Sequence, residues 1–422
     1  MLAQIDKNIL VLMVGPIQRD FGVNDVQISF LIGAAFAVAN IVAGIPAGWL
    51  ADRFDRRLII VGGVVIWSLA VAANAAMTTF SALVIARIVV GGAEALIPPS
   101  SYSLIGDGVD EVRRARGLSV YTMSLMLGTG LSLVLGGPLM AAIHGWGLRT
   151  LPVIGDVSPW QMTLFLIGVV GLPISLMILL NRDPGRRGDE ARAMVQRPAT
   201  RDIVRVLWQE RALLGPLLLF VGANAMITYG LAAWVPTLAA RCFALGMKEF
   251  GLTQGILMLT AGPIGLYVAS QFMQRRQTAI SLERVAQVGL ASSVAVAILT
   301  VFLVLANTLP IFWALDALVV LCSWTFMSVT SVIVSRTVPA QAIGLTMATV
   351  LVLNGLVGQG LSPTLIALVG RYGFNGGTGA LGGAMATVFA AAGLLSTVAS
   401  HLMYRRLTRR RMLVTSTHTG MS

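Results

Sequence analysis

Gly48-Trp49-Leu50-Ala51-Asp52-Arg53-Phe54-Asp55-Arg56-Arg57 closes one apolar stretch of the chain and opens the next. A glycine at Gly48 permits close helix packing. An acid at Asp52 can meet the positive N-terminal end of a neighbouring helix, where an anion is favoured by about 0.3–1 kcal/mol. Arg53, Arg56 and Arg57 suit a cytoplasmic loop. Topology alone accounts for those bases and leaves the acid unexplained.

Around this decamer the chain is apolar, with 56% of its 422 residues hydrophobic and 11% charged, against roughly a quarter charged in soluble domains. It reads as an all-α integral membrane protein. A spanning helix needs about 20 mostly apolar residues, which predicts spans over 5–20, 25–51, 58–77, 79–106, 113–144, 158–181, 212–240, 251–274, 281–306, 308–335, 340–370 and 377–404. The first is short: about a dozen residues needed to reach the cytoplasmic face are missing before it, so a truncated first helix is expected. The organisation is then an N-terminal six-helix bundle (1–181), a basic linker (182–211), a C-terminal six-helix bundle (212–404) and a basic tail (405–422). In the linker, Pro184-Gly185-Arg186-Arg187-Gly188 reads as a tether and Asp202 to Arg211 as a short surface helix.

Most of the 30 basic residues fall in the loops after the even-numbered spans and in the tail; the opposite loops hold Arg19, Arg149, Arg241, Lys248 and Arg371. Positive charge marks the cytoplasmic side, so both termini are expected there, with Arg409-Arg410-Arg411 anchoring the tail at anionic headgroups. The net charge of +12 is therefore topological and no nucleic-acid partner is expected. Cys242 and Cys322 match no metal or redox spacing, and His144, His401 and His418 lie near helix ends or in the tail. With no nucleophile–base pair, metal cluster or nucleotide loop, neither an enzyme nor a cofactor is expected.

Asp6, Lys7, Arg87 and Glu94 lie inside predicted spans, and Asp316 in the tenth span is a further candidate acid. Counted from the outer ends of their helices, Asp6 and Glu94 both lie roughly 21–23 Å deep, near the bilayer middle. Arg87 precedes Glu94 by two turns on nearly the same helical face, so the four charges can share one cavity. A midplane charge costs about 2.5–3.5 kcal/mol even on the lenient insertion scale and normally marks an ion path. Hydration and neighbouring cations both move a carboxylate's proton affinity, the property a proton carrier needs. The bland alternative is a static, mutually neutralised knot.

The decamer resembles the loop 2–3 signature of the major facilitator superfamily, with Asp55 where glycine is usual. The superfamily uses the acid as a latch on one side of its cycle, which the resemblance transfers to Asp52 with Gly48, Arg53, Arg56 and Arg57. Arg87-Ile88-Val89-Val90-Gly91 resembles its helix 4 pattern, and Gly128-Thr129-Gly130 with Gly136-Gly137-Pro138 its glycine–proline motif in helix 5. Gln271-Phe272-Met273-Gln274-Arg275-Arg276, at the corresponding second-half position, lacks the acid. Within the superfamily the chain is similar to the spinster-like branch. The residues that carry this are Asp6-Lys7-Asn8, Gly15-Pro16-Ile17-Gln18-Arg19-Asp20-Phe21-Gly22, Glu94-Ala95, Pro98-Pro99-Ser100-Ser101-Tyr102-Ser103-Leu104-Ile105 and Arg113-Arg114-Ala115-Arg116-Gly117. Lys7 departs from that branch's usual arginine: the charge is kept and the planar fork of donors is lost.

The resemblance implies a major facilitator fold of two six-helix bundles with helices 1, 4, 7 and 10 lining a central cavity. Asn224, Thr228, Tyr229, Trp234, Asp316 and Trp324 are then candidate substrate contacts, and Asn354 and Gln359 weaker ones. For each, a helix–helix hydrogen bond or an interfacial aromatic is the plain alternative. The expected function is secondary transport of an amphipathic or lipid-like small molecule by alternating access, coupled to protonation of Glu94 and Asp6 with Lys7 and Arg87 beside them. A proton-coupled symporter of small organic anions, or a non-transporting receptor or scaffold, are the alternatives. The expected partners are a small-molecule substrate, protons and the lipid bilayer, with the protein acting as a monomer. Lys7 and Lys248 are the only lysines beside many arginines, which points to a high-GC bacterial source and an inner-membrane location.

Overall fold

Proline placement decides where the first and fourth helices break. A computed structural model describes residues 2–108, 111–147, 150–151, 154–180, 183, 208, 210–274, 281–377 and 379–419. All twelve predicted spans are helical. α1 comprises Leu2–Leu12 and Val14–Phe21, interrupted at Met13, because Pro16 has no N–H to offer the Leu12 carbonyl. α2 (Asp25–Arg53) starts in a reciprocal cap: Asn24 Oδ1 accepts from the Val26 and Gln27 amides, each at 3.0 Å, and Gln27 Oε1 accepts from the Asn24 amide at 3.0 Å. One wide π-turn, Phe30–Ala34, lies within it.

α3 (Arg56–Ala76) is followed by α4 (Phe80–Gly108), which breaks at Ala95 and Leu96. Pro98 and Pro99 cannot donate to the carbonyls of Glu94 and Ala95, so the break falls just after Glu94. Next come α5 (Glu111–Trp146), a small antiparallel pair β1 (Thr150–Leu151) and β2 (Gly155–Asp156), and α6 (Pro159–Leu180). The second half contains α7 (Arg211–Phe243), α8 (Met247–Gln274), α9 (Leu282–Val304), α10 (Leu309–Thr337), α11 (Ala342–Gly373) and α12 (Ala380–Thr419). α10 is interrupted at Trp324, and α11 carries a π-helical stretch, Asn354–Leu361. Among the described residues, 11 helices are long and apolar enough to cross a membrane. α12 outruns its predicted end and continues to Thr419. Arg275 and Arg276, and nearly all of the linker with its expected surface helix, lie outside the described residues.

The chain forms two compact units. The first comprises Met1–Val195 and Ala232–Leu259, so the end of α7 and the start of α8 belong with α1–α6. Glycine against glycine makes that packing: a Cβ on Gly251 of α8 would lie 2.6 Å from the Leu133 carbonyl of α5, and one on Gly255 would lie 2.7 Å from the Gly130 carbonyl. Gly137 meets the Met247 carbonyl in the same way. Gly130 and Gly137 of α5 therefore form a backbone-to-backbone seam with α8. The second unit, Gln196–Leu231 and Thr260–Ser422, has its own apolar core, in which Phe220, Val285, Val329, Val350 and Met403 are fully buried.

Candidate functional site

The four membrane-level charges meet inside the first unit as two ion pairs. Lys7 Nζ lies 2.8 Å from Glu94 Oε2, and Arg87 Nη1 pairs with Asp6 Oδ2. Each base of one helix thus answers an acid of another. Arg87 and Glu94 share a helical face but are separated by about 10 Å of rise, too far for a direct pair. Asp6, Arg87 and Glu94 are buried, whereas Lys7 keeps 25% of its side-chain surface exposed.

Phe36 of α2 lies beneath both cations. Lys7 Nζ is 4.4 Å and Arg87 Cζ 5.0 Å from its ring centroid, within the range where the face of a buried ring attracts a cation. The preceding π-turn sets the rotation of α2 at this point. Nothing in the sequence singled this phenylalanine out. Close approach of α2 and α4 holds the arrangement: a Cβ on Gly91 would lie 2.6 Å from the Phe36 carbonyl, and Asn40 Nδ2 donates to the Gly91 carbonyl at 3.0 Å. On the other side, a Cβ on Gly63 of α3 would lie 3.0 Å from the Ala93 carbonyl, next to the break in α4.

The cluster is incompletely satisfied. Among the described residues, Glu94 Oε1 and Arg87 Nε are buried without a hydrogen-bond partner. A half-satisfied buried polar network is a poor device for stability alone.

The substrate-contact candidates divide. Asn224 is consumed in packing: its Nδ2 donates to the Phe220 carbonyl at 2.8 Å and to Ser396 Oγ at 2.7 Å, and Ser396 donates on to Ser293 Oγ at 2.8 Å, tying α7 to α12 and α9. Trp234 is completely buried in the first unit. Both are engaged in packing within their own units. Tyr229 is half-buried and packs on α11, where a Cβ on Gly358 would lie 2.6 Å from its ring. Asp316 is buried in α10. Thr228 and Trp324 are half-buried, Trp324 at the interruption of α10. Among the weaker candidates, Asn354 and Gln359 lie in the π-helical stretch of α11.

A profile of the Major Facilitator Superfamily matches residues 1–363. The chain belongs to that superfamily. Among solved structures it resembles a bacterial homologue of the human lysosomal transporter Spinster in an inward-facing, unoccupied conformation, with a TM-score of 0.79 and 19% identity over 96% of this chain and 94% of that one. It is 27% identical to Protein spinster homolog 3 of Danio rerio over 239 residues, 55% of this chain and 45% of that protein. With the Sphingosine-1-phosphate transporter SPNS2 of Mus musculus it shares 32% identity over 146 residues, 34% of this chain and 26% of that one. The matched regions thus span half or less of these two curated relatives.

In this major facilitator chain the loop between α2 and α3 is organised by Arg56. Expected as a loop base, it is buried: Nη1 binds Asp107 and, at 3.1 Å, Ser103 Oγ, both on α4, while Nη2 lies 2.6 Å from Asp183 Oδ1 beyond α6. Asp107 and Asp183 were not singled out from the sequence. Gly48 has open space where a Cβ would stand. Arg53 stacks on Trp49 with Cζ 4.3 Å from the ring. The Asp52 side chain is exposed and has no polar partner among the described residues. Asp55 instead serves the neighbouring helix end, its Oδ1 accepting from the Arg57 amide at 2.9 Å and its Oδ2 lying 2.8 Å from Arg57 Nη2. The Arg57 guanidinium and amide hold the Asp55 carboxyl below the usual carboxylate range.

Proposed function

We propose that the protein is a proton-coupled secondary transporter that works by alternating access and moves an amphipathic or lipid-like small molecule. The observation that carries this reading is the buried cluster of Asp6, Lys7, Arg87 and Glu94, with one Glu94 oxygen unpartnered. Opening to one side or the other changes the hydration of Glu94 and its distance from Lys7, and with them its proton affinity. A proton taken up on one face then leaves on the other, and the conformational equilibrium follows the difference in affinity between the two states. Proline placement supports the same reading, since the break in α4 adjoins Glu94 and gives the acid a local hinge. The SPNS2 relative is a sphingosine-1-phosphate transporter by name, which supports an amphipathic solute. The abundance of basic residues in alternate loops supports cytoplasmic termini in a bacterial inner membrane.

Glu94→Gln tests the coupling. The amide keeps the shape and can still accept from Lys7, so the protein should fold and bind its substrate but no longer follow a pH gradient. A static knot predicts the opposite pattern, a lower melting temperature with transport retained, because buried cations are left short of a charge. Gradient-driven uptake into proteoliposomes and the melting temperature are measured on one preparation; full gradient-driven uptake by the variant rules the coupling role out.

A further inference from the structure

A cavity lies in the first unit, at the end where α1 and α7 finish and α8 begins. It has a volume of about 580 Å³, inside the roughly 300–1,000 Å³ range of small-molecule sites. Its walls are apolar, from Leu12, Val23, Leu245 and Phe250 among others, and its polar lining comes from Gln18, Arg19, Thr237 and Arg241. Two of those four groups are guanidiniums and no acid lines it. Arg241 is held by Asp25 in a forked pair, with Nη1–Oδ2 at 2.8 Å and Nη2–Oδ1 at 2.6 Å, and Gln18 bridges the two, donating to Asp25 at 2.8 Å and accepting from Arg241 at 3.3 Å. The neighbouring acid, Asp20, is engaged elsewhere by Ser158 and Trp160. Arg19 is exposed and has no polar partner among the described residues.

We propose that this cavity is a binding site for a single-chain amphipathic anion, its phosphate or carboxylate headgroup held by Arg19 and Arg241 and its alkyl chain lying along the apolar walls. Guanidinium forks match both headgroups in a bidentate geometry, and an unpaired Arg19 beside an apolar chamber gives charge and chain a place each. Binding has a built-in consequence. A headgroup that engages Arg241 competes with Asp25 for the same donors, so an occupied site loosens the clamp among α1, α2 and α7. By the distribution of basic residues this end faces outside, which makes the cavity an external vestibule. As a station for transported solute it rests on the transport reading above, so binding and transport are measured separately.

The test uses the purified full chain in nanodiscs of zwitterionic lipid, titrated with dodecyl phosphate, inorganic phosphate and dodecylphosphocholine. Dodecyl phosphate should bind saturably. Arg19→Ala should weaken it by about tenfold or more, the loss of one charged hydrogen-bonding group. Gly15→Phe should do the same by filling the chamber, since Gly15 lines it and has nothing within 4 Å of an added Cβ. Asp25→Asn should tighten binding by freeing Arg241. Arg19 is exposed, so its variant should keep the wild-type melting temperature, and that measurement accompanies every titration. Equal binding by wild type, Arg19→Ala and Gly15→Phe overturns the site. So does inorganic phosphate binding as tightly as dodecyl phosphate, or binding lost in Glu94→Gln and kept in Arg19→Ala, which would place the ligand at the central charges. Arg19-dependent binding in a protein that shows no pH-driven uptake supports the site and removes only the transport reading.

Discussion

Glu94 reaches past the arginine on its own helical face and pairs with Lys7 of α1 at 2.8 Å. That choice leaves Arg87 to Asp6 and stacks both cations on Phe36, so protonation of one acid is felt by a ring and a second ion pair through a shared contact.

Phe36→Leu keeps an apolar group of similar bulk and removes the ring face. It should lower stability by about 1–2 kcal/mol, the scale of cation–π contacts shielded from water, while Phe36→Tyr should retain most of it. Thermal unfolding of both variants in one detergent is the check; equal melting temperatures for leucine and wild type would show that the ring contributes only volume.

Removal of the Arg56 side chain should be among the most destabilising single changes in the loop. Arg56→Ala strands the buried Asp107 and releases Asp183, and breaking one side of a buried ion pair costs about 3–5 kcal/mol. Arg53→Ala, which removes an exposed cation stacked on Trp49, should cost less than about 1 kcal/mol. Melting temperatures that rank the two the other way would remove Arg56 as the organiser of this loop.

Asp52→Asn should leave stability near wild type, because the carboxylate has no partner among the described residues. Its effect belongs to the state in which the acid meets a helix end: a contact of about 1 kcal/mol changes the population ratio several-fold. Distances between spin labels on the cytoplasmic ends of the two six-helix halves read that ratio. Unchanged distributions would abolish the latch.

Asp55→Ala removes a helix cap and should destabilise by about 0.5–2 kcal/mol at neutral pH. The capping carboxyl titrates lower in the folded protein than in the unfolded chain. Its contribution is therefore present above the unfolded value near 3.9 and lost as pH falls through the folded one. The gap in melting temperature between wild type and variant should shrink below about pH 4; a gap independent of pH would assign the effect to the backbone alone.

Cysteines placed singly in the 182–211 linker should resist an impermeant thiol reagent added to intact cells, and one at Arg19 should react. Efficient labelling of the linker would invert the topology.

The sequence by itself determined the spans, the depth of the charges and the loop signature. Each of these is a property of one helix: length, rise per residue and the 3.6-residue period are local. Only the tertiary structure decided who pairs with whom. Rotation of α2 below its π-turn brought in Phe36, burial turned Arg56 from a loop base into a hub for Asp107 and Asp183, and packing of α7 on α12 set Asn224 against Ser396. The period of a helix fixes where a side chain stands on its own axis and leaves open the azimuth and height of its neighbours. An ion pair, a cation over a ring or a cavity exists only once those are set.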